Sequence, residues 1–289
     1  MPNQITVVTG DYPHTARLKS TSAFAGAAAE FPRINPVHDA FDDMVRSQKY
    51  DVCEMAIGAF LQAYEAGKPL LLLPAVMVGG FHYKSIYAAP GAPVAPAELK
   101  GKRIGVRSYS QTTGLWVRGW LSADYGVTPD SVTWVTTEGS HSDAYDDPDN
   151  VVRTENSLAG DLRSGQISAA ILGTGAPEDL VPLIPDWESK SRAWHAKHGT
   201  VPINHMVTAT SDLVVRHPDV LNAVYQSIAD GIAENAAKPA DPAALPSAIR
   251  CGLSNVREAV RLAADYALEQ GLISRPVDDI DALFAIKGE

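Results

Sequence analysis

Two cysteines in 289 residues leave little for a disulfide framework or a thiolate metal site. Cys53 and Cys251 sit in apolar segments without CxxC or zinc-ligand spacing, so both read as reduced core thiols, as expected in a cytosol. The chain is also poor in positive charge. Its 24 Lys and Arg face 34 Asp and Glu, and no basic cluster offsets the net charge of -10 against a phosphate backbone, so nucleic acid is not an expected partner. No apolar run reaches the roughly 18 uninterrupted residues of a membrane span. Even the stretch from Lys68 to Pro74 reads as a short buried piece, and no membrane association is expected. The segment from Met1 to Tyr12 lacks the charged start, apolar run and small-residue cleavage site of a secretory leader, which gives a cytoplasmic expectation. A Walker loop, a GxGxxG fingerprint and a GxSxG elbow are missing as well, so no nucleotide cofactor is implied.

What is present is a composition able to bury large cores, 45% hydrophobic with 20% charged residues. The length suits two lobes better than one core. The run Gln4-Ile-Thr-Val-Val-Thr-Gly10 reads as a strand, and the turn Asp11-Tyr-Pro-His14 follows it. A helix through Phe41 to Gln48, a strand at Tyr50 to Met55 and a helix through Phe60 to Ala66 continue a β-α-β-α order. The proline-rich stretch from Ala88 to Ala97 reads as a connection between lobes. A second β-α unit opens at Leu99 to Arg107, with Ser108 to Thr113 as loop and Gly114 to Tyr125 as helix. Strands are expected at Ser131 to Val135, Ser168 to Leu172 and Ile203 to Thr210, and helices at Asn156 to Ser164, up to Asn235 from the His217-Pro-Asp219 start signal, and at Ser254 to Gln270. This alternation predicts an α/β protein with mainly parallel sheets, whose ligands lie outside the carboxyl ends of the strands.

That rule selects candidate residues. Asp11, His14 and Glu54 each follow or end a predicted strand and fall near a cleft. Burial of Glu54 would suit acid/base work, unless it caps the next helix. The segment Arg107, Ser108, Tyr109, Ser110, Thr112, Thr113 joins a strand end to a helix start, where free amides, the helix dipole and hydroxyls favour a carboxylate, although a hydroxyl that only caps the helix explains the same residues. Trp116 and Arg118 lie on the first turns of that helix, as aromatic wall and guanidinium fork, or as lobe core and surface. Asp11, His14, Glu54, His82 and His205 could converge on a metal, but no metal-ligand spacing supports it and no metal is expected. The acidic run Asp143, Asp146, Asp147, Asp149 lacks the calcium-loop pattern and reads as a solvated loop. The Ala/Pro-rich stretch from Ala236 to Pro246 reads as another.

The block from Leu99 to Leu121, with Trp116-Val-Arg118-Gly119 at its centre and Asp124-Tyr-Gly-Val127 after it, resembles the 4,5-dihydroxyphthalate decarboxylase family. Asp51-Val-Cys-Glu54-Met, Phe81-His82, and Trp194 to Gly199 leading into Val201-Pro-Ile-Asn-His205 extend the resemblance over most of the chain. It implies a two-lobed type II periplasmic-binding-protein-like fold: two mainly parallel sheets flanked by helices, with a central cleft, lobe 1 taking residues 1–98 and 203–289 and lobe 2 residues 99–202. It also implies a cytoplasmic lyase of aromatic compound catabolism and phthalate degradation, which decarboxylates a small hydroxylated aromatic carboxylate without an organic cofactor. His82, His205 and Glu54 then become the proton-transfer candidates, while Asp11, His14 and the residues from Arg107 to Arg118 hold the substrate. A solute-binding protein that uses the same cleft without chemistry is the alternative. Other cytoplasmic enzymes of this fold, in menaquinone or thiamine-precursor synthesis, resemble the pattern less closely. Self-association is left open.

Overall fold

The computed structural model describes residues 2–91, 94–140, 145–236 and 244–287. The opening apolar run forms β1 (Gln4–Val8), and the turn behind it leads into a short α1 (Ala16–Ser20). A small hairpin of β2 (Ala23–Phe24) and β3 (Ala27–Glu30) follows, its turn made by Ala25 and Gly26 at positive φ. Alanine carries little strand signal, so the alternation pattern does not announce this edge. Then come α2 (Phe41–Ser47), β4 (Val52–Ala56), α3 (Ile57–Glu65) and β5 (Leu70–Gly79). The apolar piece expected at Lys68 to Pro74 is thus the first half of a ten-residue strand.

The chain next forms β6 (Ile86–Ala88), β7 (Arg103–Val106), α4 (Thr112–Tyr125) and β8 (Thr133–Thr136). Gly126 at φ 65 ends α4 in the left-handed cap that glycine favours. After these lie β9 (Val151–Arg153), α5 (Leu158–Arg163), β10 (Ala169–Ile171), β11 (Val181–Pro182) and α6 (Trp187–His198). The last part holds β12 (Ile203–Thr210), α7 (Ser211–Arg216), α8 (Pro218–Asn235), which starts at the proline of the His217-Pro-Asp219 signal, and α9 (Leu253–Glu269).

Two six-stranded sheets result, ordered β2-β3-β1-β4-β12-β5 and β11-β6-β10-β7-β8-β9. The fold is that of the type II periplasmic-binding-protein class, with two corrections to the expected layout. The sheets are mixed: five of the ten strand pairings among the described residues are parallel, and the antiparallel ones cluster at β5, β12, β6 and β11, where the chain changes lobe, and at the β2–β3 hairpin. The first lobe boundary also falls earlier than residue 98. β6 pairs with β10 and β11 in the second sheet, so the crossing lies between Gly79 and Ile86. The proline-rich connection, of which residues 92 and 93 lie outside the described set, is therefore inside lobe 2.

One apolar core runs through both lobes, from Val8, Cys53 and Met206 to Ile104, Trp134 and Ile171. Helix α9 lies against α3 of the first lobe and α4 of the second. Its C-cap Gln270 donates from Nε2 to the Leu115 carbonyl at 2.9 Å. The lobes thus share a packed interface behind the cleft. Among the described residues, no helix is long and apolar enough to cross a membrane.

Candidate functional site

The carboxyl ends of β1, β4 and β7 lie near the amino-terminal part of β12, where Asn204 and His205 stand. On antiparallel β4 and β12, Ala56 stands opposite His205 and Glu54 opposite Val207. Glu54 and His205 are therefore diagonal neighbours on one sheet face, within reach for long side chains. The His205 Nδ1 lies 2.7 Å from Glu54 Oε1. A ring nitrogen facing a carboxylate carries the proton, so the neutral ring keeps its lone pair on Nε2. Glu54 is fully buried and its other contacts are fixed. Its Oε2 accepts from the Gly10 amide at 2.8 Å, and its Oε1 also accepts from the Tyr12 hydroxyl at 2.9 Å. Phe41 meets the His205 ring edge to face, with centroids 5.3 Å apart.

His205 lines a cavity of about 120 Å³ together with His38, Phe41, Ala56, Ala59, Arg107, Ser108, Ser110, Gln111, Thr112, Thr113 and Asn204. A void of roughly 150 Å³ takes a benzene ring. The cavity is somewhat smaller than that. Two helices begin at this cavity, α3 from lobe 1 after its N-cap Ala56 and α4 from lobe 2 after Gln111, and neither has a side-chain cap. The expected explanation of Ser110, Thr112 and Thr113 as caps of α4 therefore fails. Instead Thr112 Oγ1 accepts from the Gly58 amide in α3 at 3.1 Å, and Thr113 Oγ1 accepts from Asn204 Nδ2 at 3.3 Å, so both hydroxyls tie the lobes together. Gly58 permits this approach, since a Cβ there would lie 3.1 Å from the Ser110 carbonyl oxygen. Two helix N-termini at one cavity favour a bound anion. Arg107 adds a cation on the same wall, 3.5 Å from Glu138 and 3.4 Å from His38 Nε2. Ser108 Oγ donates to the Gly139 carbonyl at 2.8 Å and lies 3.0 Å from Ser110 Oγ.

Other expected site residues lie elsewhere. Arg118 is fully buried inside lobe 2: Nε donates to Gln270 Oε1 at 2.6 Å, Nη2 to the Tyr109 carbonyl at 2.7 Å, and the guanidinium stacks 4.1 Å over the Tyr109 ring and 5.3 Å from Trp134. Its helical position turns it away from the cavity, and it joins the lobe interface to α9. Tyr109 is also internal, donating to the Gln270 carbonyl. Trp116 is core: Nε1 donates to the Ile203 carbonyl at 2.7 Å, and the ring packs against Trp194 and Tyr266. Asp11 is 82% exposed and pairs with Lys19, whose hydrogen bond holds the carboxyl below its usual range. His14 stacks on Tyr12 with centroids 5.0 Å apart, and burial pulls its pKa down. His82 lies on a different cavity, beside Gly80, Lys84 and Trp187, and burial brings its pKa to about 4, with a hydrogen bond from Asn204 opposing the shift. Among the described residues no three His, Cys, Asp or Glu side chains are grouped so as to hold a metal ion. The five metal candidates reduce to the Glu54–His205 pair, with His14 beyond Tyr12. In the acidic run, Asp143 lies outside the described residues, and Asp147 receives Arg153 Nη2 at 2.8 Å.

Sequence reasoning missed Tyr12, His38, Phe41, Gln111 and Asn204. Of these, Tyr12, Gln111 and Asn204 stood inside quoted motifs, between Asp11 and His14, within the Ser108 to Thr113 loop, and directly before His205.

No family model matches the chain. A 4,5-dihydroxyphthalate decarboxylase of Pseudomonas putida is 32% identical over 144 residues, 46% of this chain and 55% of the relative. Another, of Comamonas testosteroni, is 23% identical over 248 residues, 78% of this chain and 73% of the relative. The chain is similar to 4,5-dihydroxyphthalate decarboxylases. Among solved structures, the periplasmic aliphatic sulphonate binding protein SsuA from Escherichia coli matches with a TM-score of 0.58 at 13% identity, covering 100% of this chain and 95% of its own. A mutant of the desulfurization enzyme DSZB in complex with biphenyl-2-sulfinic acid matches with a TM-score of 0.53 at 16% identity, covering 98% and 96%. A binding protein and an enzyme thus share this fold, and the fold alone does not choose between them.

Proposed function

We propose that this chain is a carboxy-lyase that removes carbon dioxide from a hydroxylated aromatic acid of the phthalate type, bound between the lobes. The observation that carries the reading is His205, backed by the buried Glu54 carboxylate, on the wall of a cavity at which the α3 and α4 N-termini meet. The homology to decarboxylases supports the reaction class.

In this reading a carboxylate that stays on the ring sits at the α3 and α4 N-termini beside Arg107 and Ser110. These donors, fixed before the substrate arrives, hold negative charge without reorganising. His205 Nε2 takes the proton of a ring hydroxyl para to the departing carboxylate, and Glu54 stabilises the imidazolium that forms. Electron density then moves through the ring to the carboxyl-bearing carbon. That carbon takes up a proton, giving a ketone-like ring, and the bond to the carboxylate breaks. Its electron pair returns to the ring, aromaticity is restored, and carbon dioxide leaves. The phenolate left by that step regains its proton from the His205 imidazolium, and the proton added at carbon comes from water, so the reaction consumes one solvent proton and needs no redox partner. Cys53 and Cys251 are free thiols, which suits a reducing cytoplasm.

The likeness to SsuA favours a second reading, a binding protein for an organic anion in the same cavity. Purified protein incubated with 4,5-dihydroxyphthalate, with and without chelator, separates the two. Carbon dioxide release with a product one carboxyl group lighter is expected, abolished in His205→Ala while the ligand-induced thermal shift remains. A thermal shift in the wild-type protein without turnover would overturn the enzyme reading.

A further inference from the structure

The turn after β1 carries more of the site than its two charged residues suggest. Tyr12 stands between Asp11 and His14, and its hydroxyl donates at 2.9 Å to the same Glu54 oxygen that holds His205 Nδ1 at 2.7 Å. The second Glu54 oxygen is held by the Gly10 amide from the same turn. Three devices fix the Tyr12 ring in place. His14 stacks on it at an interplanar angle of 12°. The Tyr12 amide donates to Thr15 Oγ1 at 3.0 Å. Gly10 leaves the space the ring occupies, since a Cβ there would lie 2.4 Å from the ring's Cζ.

We infer that Tyr12 is a positioning residue that sets the basicity of His205 by sharing the Glu54 carboxylate. Two donors compete for one oxygen, so the Tyr12 hydroxyl draws charge from the Glu54–His205 bond. Burial and the Glu54 charge push the Tyr12 phenol far above its ordinary range, so it remains a donor at every working pH. The other ionisable groups around this chain are Asp11 and Lys19 at the turn, His14 on the Tyr12 ring, Cys53 beside Glu54 on β4, and His38 and Arg107 across the cavity. Among the described residues, the Tyr12 hydroxyl and the Gly10 amide share the Glu54 carboxylate with His205.

The kinetic consequence rests on the decarboxylase reading; the titration of His205 does not. Tyr12→Phe keeps the stacked ring and removes only the hydroxyl. By NMR titration of the His205 ring nitrogens, Tyr12→Phe raises the His205 pKa, because Glu54 then gives its full charge to the imidazolium; about one unit corresponds to a tenfold change in the protonated fraction. Gly10→Ala, which displaces the ring, shifts the same titration with Tyr12 intact. If the protein decarboxylates, Tyr12→Phe lowers kcat by about tenfold, leaves KM within about twofold and moves the acid limb of the pH profile upward. A His205 titration unchanged in both variants overturns the inference, whether or not the protein turns over any aromatic acid. A shifted titration in a protein without turnover upholds the Tyr12 role and removes the reaction assigned above.

Discussion

Glu54 accepts three hydrogen bonds with no exposed surface, so replacing it by the isosteric glutamine gives a worked test of the site. The amide can keep its oxygen toward Tyr12 and His205, but its NH2 group then faces the Gly10 N–H, donor against donor. One orphaned buried donor costs about 1–3 kcal/mol. The two remaining bonds lose their ionic partner and with it about half their strength. Relief from burying a charge offsets part of this, so Glu54→Gln is expected to lose about 2–4 kcal/mol of stability. At roughly 2–4 °C per kcal/mol for a protein of this size, scanning calorimetry reads a fall of about 4–16 °C. His205 stays in place but its imidazolium has no counter-charge, so kcat for carbon dioxide release falls about 10²–10⁴-fold. Glu54 does not line the cavity, so KM moves less than about threefold. A variant with kcat near the wild-type value, or with KM raised and kcat intact, would refute the reasoning, the second by placing the carboxylate on the substrate.

Arg118→Ala separates the structural position of that residue from the substrate contact its sequence position suggests. It is expected to destabilise by about 3–5 kcal/mol, because Gln270 Oε1 and the Tyr109 carbonyl lose a buried charged donor, with KM nearly unchanged in the folded fraction; raised KM at unchanged melting temperature would return Arg118 to the cavity. His82 gives a pH test. Its folded pKa of about 4 lies below the ordinary value of 6.5, so the unfolded chain binds more protons between these limits and stability falls as pH drops through them. By pH 4.5 the loss from this residue alone is on the order of 2–3 kcal/mol. His82→Gln is therefore expected to flatten the acid limb of melting temperature against pH, leaving the slope that His14 and His198, also depressed by burial, contribute. An acid limb identical in both proteins would show that His82 is protonated in the fold.

The parts of this protein that the sequence made legible are those set by local pattern. The β-branched run at β1, the strand-to-helix passage from Arg107 into α4, the proline start of α8 and the apolar stripe of α9 each follow from residues within one turn or one strand of each other. The losses have equally local causes. The β2–β3 edge is built from alanine, and β6 and β11 are two or three residues long and gain their identity only from pairing across the second sheet. Lobe membership is a property of pairing, so a composition shift at the prolines could not mark it. Helical phase explains Arg118 and Trp116. Both sit on the helix that opens at the cavity, yet its first turn carries Thr112 and Thr113 to the cleft and sends these larger side chains into the core shared with α9.

The Glu54–His205 contact marks the limit of sequence reading most clearly, because 151 residues separate its partners. Each residue was a candidate alone, one at a strand end and one near the start of a predicted strand. Their pairing depends on the register of β4 against β12, and a slip of one residue would turn His205 to the opposite face. The side chain that completes the pair was hidden for a different reason. Tyr12 has no charge near neutral pH and sits between two residues that do carry titratable groups, so a search for ionisable chemistry passes over it. What reveals it is a question of accounting: a carboxylate with no exposure must have every oxygen occupied, and the donors to Glu54 have to come from somewhere. Asked of the sequence, that question already points to the turn at the neighbouring strand's carboxyl end, because parallel β1 and β4 bring Gly10 and Tyr12 alongside Glu54.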